Sequence, residues 1–185
     1  MEFERVVKRR RMCRAFTDED VPDQAIERIL DLAARFPSAG HTQPQEFVVV
    51  RDRKVKDDLA RAALGQTFVA EAPVVIALVS DTERPRPRYG RRGVEFYSVI
   101  DGAFAAMLVL LAAVDQGLGA AFVAAMDDDA VRQVLGLPGH VRPIGLIAIG
   151  HCAERPDRAP RRRRADIVHR DAYGSRDQGR AAVEL

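Results

Sequence analysis

Arg9-Arg10-Arg11-Met12-Cys13-Arg14-Ala15-Phe16 sets four arginines within six positions, directly after an apolar helical pattern and directly before the acidic turn Thr17-Asp18-Glu19-Asp20. Like charges held this close repel, a cost that a bound phosphate or an acidic neighbour relieves. Two readings compete at this point, an anion site and a solvated surface run. The segments on either side decide between them.

Upstream, Phe3, Val6 and Val7 recur at helical spacing, so residues 2 to 10 read as a short amphipathic helix that delivers the arginines at its C-terminal end, where cations are tolerated. Downstream, Val21-Pro22-Asp23 opens a second helix with Pro in its first turn; Ile26, Ile29, Leu30 and Ala33 share one face until Pro37 stops it. Pro37-Ser38-Ala39-Gly40-His41-Thr42-Gln43-Pro44 is then a loop too long for a tight turn, of the kind that carries sites.

Glu46 to Arg51 reads as a strand and Lys54 to Leu64 as a helix with Gly65 as its C-cap. Pro73 to Ser80 is a strand apolar on both faces and therefore central. Asp81 to Gly93 holds prolines, glycines and arginines without periodicity and is expected to be exposed and mobile. As a basic lid it would suit the phosphates of NAD(P)H or an acidic substrate; a plain solvated loop fits equally well.

Tyr97 to Gln116 is the longest helix, rich in small residues that let another backbone approach, and belongs at the centre of the fold or at a subunit interface. Ala120 to Ala124 and Pro143 to Gly150 read as strands, with a helix from Asp127 to Leu135 between them that an Asp caps. Strands alternating with helices predict α/β layering. The most apolar stretch, Gly102 to Val114, falls short of the roughly 20 residues of a membrane span and reads as a buried helix.

The chain has 185 residues, enough for one domain with a sizeable core. Lys+Arg 29 against Asp+Glu 27 is too balanced for a dedicated nucleic-acid binder. The run Pro160 to Arg164 contains no aromatic residue to stack on bases. Two cysteines, Cys13 and Cys152, with no secretory signal ahead of them predict reduced thiols in the cytoplasm. Cys13, between arginines, could serve as a nucleophile, but a small packed residue is the favoured reading. The four histidines show no metal spacing.

Taken together, these stretches resemble the nitroreductase family of FMN-dependent oxidoreductases over about residues 3 to 174. The resemblance rests on Arg10 to Phe16, Pro37 to Pro44, Ala72-Pro73, Gly117-Leu118-Gly119 and Pro143-Ile144-Gly145, whose order and spacing are more specific than any one of them. It implies an α/β (α+β) three-layer fold with a mixed central sheet flanked by helices. The whole of 1–174 would be a single FMN-binding domain, and 175–185 a flexible tail. It also implies a homodimer with long helices across the two-fold axis, FMN in two clefts lined by both chains, and a C-terminal segment around Ile167-Val168 that adds a strand to the partner.

By the same resemblance, Arg10 and Arg11 match contacts to the phosphate and ribityl chain, with Met12 beside them, and Arg14 matches a basic residue at the N1 and O2 edge of the flavin. A guanidinium there favours the negative charge that the ring gains on reduction. Arg161 and Arg163 match late arginines closing over the phosphate. Pro37, Ser38, Ala39 and Gln43 match a loop covering the flavin from the partner, and Val123, Ala124 and Ala125 a backbone segment facing N5. His41 stands where the family often has Asn, and Gln45 where Trp frequently follows the Gln-Pro.

The implied activity is an NAD(P)H oxidoreductase that reduces nitroaromatics, quinones or similar electron-poor acceptors by ping-pong hydride transfer through flavin N5. The alternatives are a specialised relative (a dehalogenase or a flavin-fragmenting enzyme) and a flavin or nucleotide binder without turnover. Charge-assisted hydrogen bonds contribute roughly 1.5 to 3 kcal/mol each. Three phosphate contacts thus approach the roughly 8 kcal/mol of micromolar affinity.

Overall fold

The computed structural model describes residues 1–153, 156 and 159–175. Helices α1 (Phe3–Arg9) and α2 (Asp23–Ala33) precede strand β1 (Gln45–Val50). Then come α3 (Arg53–Ala62), α4 (Phe68–Glu71), β2 (Val74–Asp81), α5 (Arg86–Arg92) and α6 (Ser98–Asp115). β3 (Gly119–Val123), α7 (Asp128–Leu135) and β4 (Val141–Gly150) close the core.

The strands form one sheet in the order β1-β2-β4-β3. Alternation along β2 explains its two-sided burial. Val74, Ile76 and Leu78 point into a core with Ile29 of α2, Val109 of α6 and Ile147 of β4. Val75 and Ala77 point into a second core with Leu59 of α3, Val69 of α4, Val131 of α7 and Leu146 of β4. Helices thus cover both faces, giving the three layers expected.

The four strands pair antiparallel throughout, and the mixed character expected of the sheet is confined to an isolated parallel bridge between Met12 and Ala120. One reason is α4, a single turn that the sequence reading did not resolve. With α3 it makes an out-and-back connection, returning the chain to the end of the sheet it had left, so β2 runs against β1. Lys56 fastens this turn: its buried Nζ donates to the Ala72 carbonyl at 2.6 Å. Pro143, which cannot donate to a ladder, sits in β4 where the register shifts between Leu78 and Val79.

Residues 81–93 are ordered rather than loose. Pro85 and Pro87 sit in the first turn of α5, and one π-helical turn (Gly93–Tyr97) joins α5 to α6. Ion pairs one turn apart, Arg86–Glu83 at 2.9 Å and Arg91–Glu95 at 2.7 Å, supply the regularity that apolar periodicity did not.

The continuous run Arg86–Asp115 is apolar enough by length and composition to cross a membrane, yet half of its most apolar window is buried within the fold. Ala105, Val109 and Ala113 pack in the first core, whereas Phe96, Val99, Phe104 and Met107 stay exposed, as do Phe3 and Val7 of α1.

Beyond β4, the expected strand-like pair Ile167-Val168 instead follows a 3-10 turn, Arg164–Asp166. Of the predicted tail, residues 176–185 lie outside the described residues.

Candidate functional site

The arginine segment is stitched along the edge of the sheet. α1 ends where the Arg10 amide donates to Val6 O at 3.0 Å, and the chain then runs extended. The Cys13 amide donates to Ala120 O at 3.1 Å beside β3. Further on, Thr17 N donates to His151 O and Ala153 N to Ala15 O, both at 2.9 Å, where the chain leaves β4. Phe16 and Cys152 form an antiparallel bridge.

An extended backbone sends alternate side chains to opposite sides. The arginines are divided accordingly. The Arg14 guanidinium lies 5.9 Å from the ring centroid of Phe68 on α4. Gln66, just before that helix, donates from Nε2 to Ala63 O at 2.9 Å and Ala125 O at 3.3 Å. Arg14, Gln66, Phe68 and the Val123-Ala124-Ala125 segment are therefore drawn to one end of the sheet, with Ala124 and Ala125 exposed there. Arg10 is half-buried, and its Nη1 is fully enclosed without a hydrogen-bond partner among the described residues.

Arg11 takes the other side. Its Nη1 donates to Lys8 O at 2.8 Å and Arg10 O at 2.7 Å, and its side chain lines a separate cleft with Arg5, Lys8 and Arg9. Arg10 and Arg11, paired by the sequence reading as phosphate contacts, thus face different surroundings. Met12 packs inward against both cores while its backbone bridges to β3.

Cys13 and Cys152 are joined as a disulfide, with Cα atoms 6.0 Å apart, where reduced thiols were expected. A separation of 139 residues hid the pairing; the strand-like hydrogen bonds around Phe16 and His151 create it.

The Pro37 to Gln43 loop forms a second locus. Gly40, His41 and Gln43 have φ values of 54°, 58° and 46°, a left-handed conformation that strains the two non-glycine residues. Several bonds hold it. Ala39 N donates to both carboxylate oxygens of buried Asp101 on α6, at 3.1 and 3.2 Å, and Gln43 N donates to Ser38 Oγ at 3.0 Å. Arg84 Nε and Arg88 Nη1 donate to Thr42 O and Gly40 O. Burial pushes the Asp101 carboxyl above its ordinary range, against the pull of the Ala39 amide. Pro37, His41 and Gln43 are exposed, Ser38 and Ala39 half-buried. Gln45 is buried, and its Nε2 donates to Ser98 O at 2.8 Å.

Arg161 and Arg163 are exposed, and the Arg163 guanidinium forks onto the Asp166 carboxylate at 3.1 Å from both nitrogens. Among the described residues, Met12, Arg14 and Val123–Ala125 are thus gathered along the β3 edge, with Arg10 ahead of them on the same extended segment. The Pro37–Gln43 loop is held by Asp101, Arg84 and Arg88, and Arg163 by Asp166. Gln66, Phe68 and Asp101 were missed by sequence reasoning. The aromatic and the amide just beyond the αL positions at Leu64 and Gly65 offered a faint signal, and Asp101, an acid at the head of the apolar stretch of α6, a stronger one.

Fold and site define an α/β chain with an arginine-bearing sheet edge beside the exposed small residues Ala124 and Ala125. The chain belongs to the nitroreductase family, whose model, described as "Nitroreductase family", matches residues 7–71 and 61–151. It is 36% identical over 176 residues to a Thermus thermophilus protein named NADH dehydrogenase, covering 79% of this chain and 84% of that one. It is 27% identical over 183 residues to a Bacillus subtilis protein named FMN reductase [NAD(P)H], covering 91% and 73%. Among solved structures, a nitroreductase family protein from Streptococcus pneumoniae superposes with a TM-score of 0.84 at 29% identity, over 91% of this chain and all of that one.

Proposed function

We propose that this chain, an FMN-dependent NAD(P)H oxidoreductase, works as a homodimer and reduces nitroaromatics, quinones or similar electron-poor acceptors. The observation that carries the reading is Arg10. An enclosed guanidinium nitrogen without a partner costs free energy, and a phosphate oxygen is the acceptor best matched to it. The residues present fit FMN: Arg10 for the phosphate, Arg14 for the pyrimidine edge of the ring, and exposed Ala124 and Ala125 main chain for its central edge. When bound, FMN supplies the electron relay between nicotinamide and acceptor.

The protein's own residues do the rest. Arg14, braced by Phe68, sets a fixed positive charge where the ring becomes more negative. Small side chains at Ala124 and Ala125 leave room for a planar group, and no general base is required of the chain. The loop Pro37–Gln43 is prebuilt in a strained form, and among the described residues its hydrogen bonds to other elements go to Asp101, Arg84 and Arg88 rather than to the Arg10–Arg14 segment, which supports its serving the partner's flavin. The exposed apolar residues Phe96, Val99, Phe104 and Met107 on the same helical run support a two-fold contact there. The late arginines Arg161 and Arg163, and strand exchange through Ile167-Val168, belong to the same dimeric reading.

Purified protein is expected to be yellow, to elute as a dimer, and to lose its flavin absorbance under anaerobic NADH or NADPH. Colourless protein that takes up no added FMN overturns the proposal. Yellow protein that the nicotinamides never bleach reduces it to flavin binding without turnover.

A further inference from the structure

On the far side of the arginine segment lies a cleft of about 860 Å³, lined by Arg5, Lys8, Arg9, Arg11, His151 and Cys152 among others. Its volume suits a small molecule. Four of its lining residues carry fixed positive charge, and the acid among them, Glu19, lies 3.5 Å from His151. Lys8 is partly offset by Glu4, while Arg5 and Arg9 form no ion pair among the described residues. Arg9, which the flavin site leaves without a role, belongs to this wall.

The disulfide opens into the same cleft through one sulfur. Cys152 is exposed and lines the cleft, whereas Cys13 is 1% exposed. The place is shaped for the pair: a Cβ on Gly119 would lie 2.8 Å from both Cβ and Sγ of Cys13 and would collide with Cys152 Sγ. Sγ of Cys13 lies 3.3 Å from Ala15 O, an acceptor in position for that thiol once reduced. The hydrogen bonds Thr17 N to His151 O and Ala153 N to Ala15 O keep the two strands adjacent whether or not the sulfurs are joined.

We infer that this cleft is a thiol-exchange site, in which a small anionic thiol is gathered by Arg5, Arg9 and their neighbours and attacks Cys152 of the Cys13–Cys152 disulfide. The incoming thiolate forms a bond to Cys152 Sγ as the bond between the two cysteines breaks. The electron pair leaves on Cys13 Sγ, which takes a proton from water. A second molecule of the thiol attacks the mixed disulfide, releasing the oxidised thiol and the Cys152 thiolate, which is protonated in turn. Two small thiols are oxidised and one protein disulfide is reduced. Positive charge in a cleft raises the local concentration of an anionic reactant, and a buried Cys13 leaves Cys152 as the sulfur within reach. The bond joins the strand that carries Arg10 and Arg14 to the chain leading to Arg161 and Arg163, so its state is linked to the flavin-binding edge.

The test uses full-length protein oxidised with diamide. Glutathione, neutral 2-mercaptoethanol and cationic cysteamine are compared by the rate at which two alkylatable thiols appear, corrected for each reagent's thiolate fraction and basicity. Glutathione is expected to lead by about tenfold or more. That lead should shrink with added salt, and should be lost in an Arg5→Gln/Arg9→Gln variant with unchanged flavin content. Trapped glutathione should map to Cys152. Equal corrected rates for the three thiols overturn the inference, as does a lead indifferent to salt and to the double variant. So does glutathione trapped on Cys13, or a protein whose two thiols diamide does not join.

Discussion

Two arginine runs of similar density meet different fates in this molecule. Arg9 to Arg14 follows a helix and is pinned by backbone hydrogen bonds to Ala120, His151 and Ala153, so each guanidinium has an assigned side and neighbourhood. Arg161 to Arg164 has no such frame: Arg162 and Arg163 bond within their own segment, to Asp166, and all four are exposed. Charge density alone makes neither run a site. A sheet edge that divides side chains between its two sides turns the first run into two distinct environments, whereas the second bonds within its own segment.

The comparison is broken most severely by removing what pins the first run. Gly119→Ala sets a methyl group against both cysteines and is expected to prevent the disulfide, at a cost of about 2–5 kcal/mol in stability. Urea unfolding with and without reductant checks this; after reduction the variant should retain only the crowding penalty, about 1–3 kcal/mol. An unchanged midpoint in the oxidised protein would show that the edge segment does not depend on this contact.

Next in size is the contrast between the runs themselves. Arg10→Ala removes a guanidinium whose Nη1 is enclosed and has no hydrogen-bond partner among the described residues, and should weaken FMN binding by about 1.5–3 kcal/mol, read by equilibrium dialysis or flavin fluorescence. Arg163→Ala removes a group that must first leave Asp166, and only a few-fold loss is expected. Arg14→Ala should change affinity less than Arg10→Ala and lower the flavin reduction potential instead. Equal losses for Arg10 and Arg163 would erase the distinction between a framed and an unframed run.

The same contrast explains what the sequence revealed. Strands and helices with strong apolar patterning, such as Val74–Asp81 and Ser98–Asp115, were legible to within a residue or two, because burial on both faces or on one stripe fixes their period. α4 was not, since a single turn carries no period. α5 was not, since ion pairs and prolines rather than apolar residues stabilise it. Of the candidate site, Arg10, Met12, Arg14 and Val123–Ala125 were named from motifs, yet the separation of Arg10 from Arg11 depended on an extended backbone that composition does not disclose. The Cys13–Cys152 pairing needed the register of two segments far apart in sequence. Asp101 stood out as an acid at the head of an apolar stretch, but its partner at Ala39 lies 62 residues away and could not be read from it.

The smallest effect concerns that loop, which is framed as firmly as the first arginine run but by a buried carboxylate in place of a strand. Burial raises the Asp101 carboxyl above its ordinary value of 3.8, and the Ala39 amide opposes the shift without cancelling it. The folded state therefore holds this proton more tightly than the unfolded chain does. Its contribution to stability is fully present below 3.8 and is lost as pH rises through the folded value. Asp101→Asn keeps an oxygen for Ala39 N to donate to and removes the buried charge. Urea midpoints of variant and parent should accordingly diverge in the variant's favour as pH rises from below 3.8 towards neutrality, with flavin content unchanged. A difference flat across that window would mean that the Ala39 amide fully offsets the burial of the Asp101 carboxyl, so that folding leaves its proton affinity unchanged.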